Sequence, residues 1–440
     1  MTLATGHALY DEAYAKARRD VTGNIVNGRL IAGETWPQIW TRDSSYALDL
    51  GTGLGVPDVG MRTLRTMATT DRLGEVWRQD PCRHFGAWPN LTDSIVGAVG
   101  AWATYLASGD EDFLRWSFEV TRNSLARAER DAFDVGSGLF RGCASFMESN
   151  SGYPLRFRYR GAAVGRTKAL STNLLYFRGY QLAARMAGLI GEDGSSFADR
   201  ATALREAINR RLWAPARGLY AYYETEGGRQ SRRMEGLGEA LAVLWGVADA
   251  SQAKEIFKNV SITGYGIPCL WPRYLAWRYY FNDANYYHNG MVWPFVQGYW
   301  AQAAASRGAV DVFDAELAKL AGSAQRSATF HEFYRPGNGQ PDGSGRQLWS
   351  AAGYLSMIHH GLLGMSFDER HISFRPVVPA RFGRIKLDGF AYRDMVLDVE
   401  VLGAGTEVAS FSVDGQPQPD HTLPIRTSGR RMVTVVMAAA

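Results

Sequence analysis

Glu148 and Glu332 lie far apart in this 440-residue chain, each in a loop crowded with hydroxyl, amide and aromatic side chains. The first loop reads Arg141-Gly-Cys-Ala-Ser145-Phe-Met-Glu148-Ser-Asn150-Ser-Gly-Tyr153-Pro154. The second reads Phe330-His331-Glu332-Phe-Tyr334-Arg335, followed by Gln347-Leu-Trp349-Ser350. Two carboxylates in separate aromatic loops match what glycosidic bond cleavage requires: one protonated to serve the departing oxygen, one ionised to act on water or the anomeric carbon. Two further segments bring groups that grip hydroxyls and stack on sugar rings. These are Trp36-Pro-Gln-Ile-Trp40-Thr-Arg42-Asp43-Ser44 and Tyr286-Tyr287-His288-Asn289-Gly-Met-Val-Trp293-Pro294. Each segment has a plainer reading. Arg42–Asp43 could cap the helix starting at Ser44, Glu148 could be an exposed loop residue, and Glu332 could pair structurally with Arg335. His288 has no second ligand spaced for a metal.

Other chemistries lack their signatures. There is no GxSxG elbow, HExxH pair or Walker loop, and no GxGxxG follows a strand. Cys82, Cys143 and Cys269 form no CxxC or Cys/His cluster, so neither a zinc site nor any cofactor is expected. The net charge of +4 is interspersed, which excludes a nucleic-acid footprint. No apolar run is long enough to span a membrane, and the polar beginning of the chain reads as neither a leader nor an anchor. A cytoplasmic location is expected, or the periplasm if a leader has been removed, with the protein a monomer or homodimer. Aromatics are the compositional outlier at 12%, with 13 Trp, and six of these (Trp36, Trp40, Trp88, Trp271, Trp293, Trp349) fall in or beside loops.

The elements that must hold these loops are helices. Apolar periodicity predicts helices over 92–107, 171–188, 197–213, 236–248, 293–307 and 347–363. Short polar links such as Ala-Ser-Gly-Asp-Glu-Asp-Phe (107–113) and Gly-Glu-Asp-Gly-Ser-Ser-Phe (191–197) alternate with the long aromatic loops. That alternation predicts a mainly α fold, an (α/α)6 toroid of paired helices whose long loops gather at one end. Beyond residue 365 short β-branched runs divided by Gly, Asp and Pro predict an antiparallel sheet of about five strands. The expected division is a catalytic barrel at 1–365 and a β appendage at 366–440.

At these residues the chain resembles the six-hairpin (α/α)6-barrel glycosidases, in particular relatives of glycogen-debranching α-glucosidases and glycoside hydrolase family 63. The resemblance rests on Trp40-Thr-Arg42-Asp43, on Gly138-Leu-Phe leading to Glu148, on Tyr287-His-Asn-Gly-Met-Val-Trp293-Pro294, and on Glu332 ahead of Gln347-Leu-Trp349-Ser350. It covers nearly the whole chain. Relatives generally carry Asp at the acid position, and Glu148 reaches one methylene further.

The resemblance implies an exo-acting glycosidase that releases a terminal α-linked sugar, foremost an α-glucoside, from an oligosaccharide or small glycoside with inversion. Glu148 is then the general acid and Glu332 the general base. Arg42 and Asp43 bind sugar hydroxyls, and Trp36, Trp40, Trp88, Trp271, Trp293 and Trp349 shape the pocket. Tyr287 belongs to the same site. Lys168 and Arg273 read hydroxyls or an aglycone carboxylate, while His288, Asn289 and His331 contact the sugar or order water. Two rivals remain at this level: an (α/α)6 sugar epimerase using His288 and His331, and a polysaccharide lyase using Arg273 and Arg335.

Overall fold

Why some helices are central follows from their composition. Val96–Ser108 and Gly236–Leu244 carry apolar or small residues on every face, so they must be surrounded by protein. Ser195–Leu212 buries only the stripe Ala201, Leu204, Ala207, Ile208 and Leu212, so it suits an outer layer. The computed structural model describes residues 1–157, 160–274 and 287–438 and bears this out.

Among the described residues twelve helices of seven residues or more alternate between two rings. The outer ring is α1 (Ala8–Gly23), α3 (Pro57–Arg65), α5 (Glu111–Asp131), α7 (Ser195–Leu212), α9 (Ala250–Asn259) and α11 (Val310–Gln325). The inner ring is α2 (Thr41–Ala47), α4 (Val96–Ser108), α6 (Leu170–Ile190), α8 (Gly236–Leu244), α10 (Pro294–Ser306) and α12 (Leu348–Ser356). Inner helices pack in the order α2, α4, α6, α8, α10, α12, and α12 returns to α2 to close the circle. This is the (α/α)6 toroid. Both α2 and α12 continue into wider π turns, Leu48–Thr52 and Met357–Leu362.

The two polar links named above do turn one helix into the next. After α4, Gly109 adopts φ +70°, where a side chain is strained, and Asp110 then caps α5 by accepting from the Phe113 N–H at 2.7 Å. The α6–α7 link has the same order, with Gly191 at φ +82°.

The chain then forms two sheets. We label β1 (Thr2–Ala4), β2 (Met365–Phe367), β3 (His371–Phe374), β4 (Arg384–Tyr392), β5 (Met395–Leu402), β6 (Val408–Val413), β7 (Gln416–Pro417), β8 (Thr422–Pro424) and β9 (Gly429–Met437). The larger sheet has the order β1-β4-β5-β9-β6-β7, and the smaller β2-β3-β8. All pairings are antiparallel except β5 with β9. Strand β1, before the first helix, edges the larger sheet through Leu3 opposite Leu387. The first residues of the chain are thereby tied to its C-terminal sheet.

All six inner helices run the same way. Their N-terminal ends carry or adjoin Arg42, Asp93, Ser171, Glu235, Trp293 and Gln347 respectively, so one mouth of the ring collects helix starts and loop side chains together.

Candidate active site

The N-terminus of α2 presents Arg42 and Asp43, and a remote carboxylate fixes it. Asp80 accepts from the Thr41 N–H at 2.7 Å and the Arg42 N–H at 3.3 Å, satisfying donors a helix start leaves unpaired. The Arg42 guanidinium then bridges two acids. It donates to Glu148 at 3.0 Å and lies 3.7 Å from Asp93. Its burial opposes the charge, but Glu148, Asp93, Asp80 and Asp43 outweigh burial and hold it protonated. Asp93 is fixed in turn by Gln79 (2.6 Å) and Ser145 (3.1 Å), and Tyr46 lies 2.7 Å from the Ser145 hydroxyl.

Glu148 thus lies half-buried beside one guanidinium. Burial pushes its carboxyl up to about 7, against the pull of Arg42. Its Oε2 is buried and has no protein partner. The backbone leading to it is strained: Phe146 sits at φ +58°, uncommon for a bulky residue, and its ring is wedged against His288, Trp293, Phe295 and Trp349.

Glu332 is treated differently. Its carboxylate accepts three hydrogen bonds, from the Tyr287 hydroxyl (2.5 Å), the Trp36 indole N–H (3.1 Å) and the Ser344 N–H (3.0 Å). Burial raises its pKa, and these donors act against that rise. Gly343 makes the approach possible: at φ +72° a Cβ there would fall 2.4 Å from Glu332 Oε2. Asp43 lies between the two glutamates electrostatically. Burial raises its pKa most, and the charges of both Glu332 and Glu148 add to the rise. It accepts from Gln347 Nε2 at 3.1 Å, which joins the starts of α2 and α12.

Around this centre Trp36 and Trp40 form a half-buried pair with ring centroids 5.5 Å apart. Trp293 and Trp349 are almost wholly buried and back the site: Trp349 stacks on Phe295 at 4.2 Å, and Trp293 on Phe333 at 5.3 Å. The Trp349 indole nitrogen is buried without a partner. His288 is 2.8 Å from Ser149 Oγ, and burial, helped by Arg42, keeps it neutral. Trp271 is half-buried beneath Arg273, whose aliphatic stem passes over Gly290.

Three residues expected at the site spend their polar side-chain groups on other partners. Lys168 is buried between Asp134 (2.9 Å) and Glu224 (3.3 Å), with Arg211 on the same glutamate. Trp88 donates to Asp131 at 3.0 Å and lies under Arg127. Asn289 clamps the Tyr274 backbone through both ends of its amide, at 2.7 and 3.1 Å. His331 is half-buried: its backbone N–H donates to Tyr334 Oη at 3.4 Å, while its ring Nδ1 is buried without a protein partner. Arg335, the structural partner weighed for Glu332, pairs with Asp342 at 3.0 Å instead. Tyr286 lies outside the described residues. Among the described residues no group of three His, Cys, Asp or Glu is arranged to hold a metal ion, and no helix is long and apolar enough to cross a membrane.

Asp80, Asp93 and Ser344 are the residues that sequence reading misses. Asp93 falls at the start of the helix predicted over 92–107, and only the fold reveals it beneath Arg42.

A six-hairpin ring with Glu148 and Glu332 at its aromatic mouth is the setting of a glycoside hydrolase, and the family match makes that class explicit. The domain model of the mannosylglycerate hydrolase MGH1-like glycoside hydrolases matches residues 37–350, and the chain belongs to that family. It is 26% identical over 196 residues to the mannosylglycerate hydrolase of Rubrobacter radiotolerans, a match spanning 43% of each chain. In three dimensions it is similar to a GH78 rhamnosidase of Bacillus sp. GL1, with a TM-score of 0.68 at 14% identity over 100% of this chain and 44% of that one. It is also similar to the GH63 mannosylglycerate hydrolase of Thermus thermophilus in complex with glucose, with a TM-score of 0.62 at 16% identity over 79% of this chain and 100% of that one. The same hydrolase has also been crystallised with Tris and D-glycerate.

Proposed function

We propose that this hydrolase removes a terminal α-linked hexose, foremost glucose, from a small glycoside by single displacement with inversion. The observation that carries the reading is the unequal setting of the two glutamates. Glu148 is half-buried, with its pKa pushed up to about 7 and one oxygen unpartnered, whereas Glu332 accepts three hydrogen bonds that favour its ionised form.

Glu148 delivers its proton to the glycosidic oxygen as the anomeric C–O bond breaks. Glu332 takes a proton from water, and the water oxygen bonds to the anomeric carbon from the opposite face. The sugar leaves as the β hemiacetal and the aglycone as an alcohol. Proton exchange with solvent resets both carboxyls. Arg42 keeps Glu148 oriented, Trp36 and Trp40 face the sugar ring, and Arg273 reads an acidic aglycone such as the glycerate named for the relatives.

A panel of α-glucosides and α-mannosides of D-glycerate and of glucose tests the substrate. Turnover of α-glucosides, fastest with the acidic aglycone, is expected. Turnover of mannosides alone would overturn the choice of sugar, and no turnover of any α-glycoside would overturn the function.

A further inference from the structure

At the far mouth of the ring, where the inner helices end, lies a second cavity of about 300 Å³. Every inner helix contributes to its wall: Asp49 from the turn after α2, Trp102 from α4, Arg178 from α6, Trp245 from the end of α8, Gln302 from α10 and His360 from the turn after α12. The cavity therefore sits on the barrel axis, with Ser366 and Phe367 of β2 on its rim. Helix starts, and with them Glu148 and Glu332, lie at the other mouth.

Its chemistry is mixed and close to neutral. Asp49 and Arg178 attract one another across it but spend their hydrogen bonds elsewhere. Asp49 accepts from the Tyr299 hydroxyl at 2.7 Å, and Arg178 donates to Gln181 at 3.1 Å. Burial depresses the pKa of His360, so it is neutral. Three buried side-chain nitrogens in the wall have no protein partner: Arg178 Nε, Gln302 Nε2 and His360 Nε2. These three side chains thus keep hydrogen-bonding capacity that the protein itself does not use. Two indoles and Phe367 give apolar faces between these polar groups. Opposed charges, amide and imidazole hydrogen-bonding groups, and aromatic walls suit a neutral molecule dense in hydroxyls. The volume lies at the lower end of ligand pockets.

We propose that this axial cavity is a second binding site, for one neutral monosaccharide or polyol, separate from the site that holds Glu148 and Glu332.

Calorimetric titration of the full chain with glucose, and in parallel with glycerol, tests this. Trp36→Ala, which weakens the first site, isolates the second. With glucose, a saturable component is expected to persist in Trp36→Ala. It should weaken at least tenfold when Gln302→Leu is added, or when Ala103→Phe, at a residue of α4 that also lines the cavity, is added to fill it. Neither cavity change alone should alter kcat/KM. Ala103→Phe removes no hydrogen bond, so it serves if the Gln302 variant does not fold. Saturation by glycerol as well as glucose assigns the site to polyols in general, and by glucose alone to a pyranose. No saturable component in Trp36→Ala with either compound, or one untouched by both cavity variants, overturns the proposal.

Discussion

Replacing Arg42 by Gln should move the basic limb of the pH–rate profile upward. The limb reports ionisation of the acid, and Glu148 loses its proton at about 7. Arg42 is the largest influence holding that value down, at 3.0 Å. With both charges spread over several atoms, an effective separation of roughly 4 Å at an effective dielectric of about 20 gives about 4 kcal/mol. Divided by about 1.4 kcal/mol per unit, that caps the shift at about 3 units, and opposite charges at this range usually account for about 1–3. Asp93 and Asp80 remain and push the same way. The limb in kcat/KM should therefore rise from about 7 to about 8–10, while a weaker acid lowers the plateau rate. Arg42→Lys keeps the charge and should bring the limb back towards about 7 without full activity. A limb in Arg42→Gln that stays within about 0.3 units of the wild type, or moves down, refutes the assignment of that limb to Glu148.

Three other outcomes are expected. Glu148→Gln should lower hydrolysis of an ordinary α-glycoside by about 10²–10⁴-fold yet barely affect a glycosyl fluoride, whose leaving group needs no proton; steady-state rates on the two substrates check this. Tyr287→Phe removes the 2.5 Å donor from Glu332, worth about 1.5–3 kcal/mol to the anion, so the acidic limb should rise by about 1–2 units in the same pH series. Glu235 is buried with its pKa pushed up to about 8, so above pH 7 the folded protein holds a proton that the unfolded chain releases. Stability then falls by about 1 kcal/mol between pH 7 and 8, where unfolded histidines are already largely neutral, and Glu235→Gln should flatten that slope in urea unfolding.

Much of the toroid was legible because each helix declares its layer locally. An all-round apolar run such as Gly236–Leu244 can only be interior, and a one-sided stripe such as that of Ser195–Leu212 belongs outside. Glu148, Glu332 and the Trp36–Asp43 segment stand out by residue type within loops. What was not legible depends on long-range partners. Lys168 looks like a loop cation until Asp134 and Glu224 close on it. Asn289 looks like a sugar contact until its amide is found on the Tyr274 backbone. Asp80 and Asp93, which set Arg42 in place, come from segments that carry no sign of chemistry. The edge strand Thr2–Ala4 is too short to announce itself and exists through its pairing with Arg384–Tyr392.

The central claim is direct displacement by water using Glu148 as acid and Glu332 as base. Proton NMR of the first sugar released from an α-glucoside, followed before mutarotation, tests it most directly. The account predicts the β anomer first, at a rate cut severely by either Glu148→Gln or Glu332→Gln. Initial appearance of the α anomer, or an unchanged rate in either variant, would contradict it.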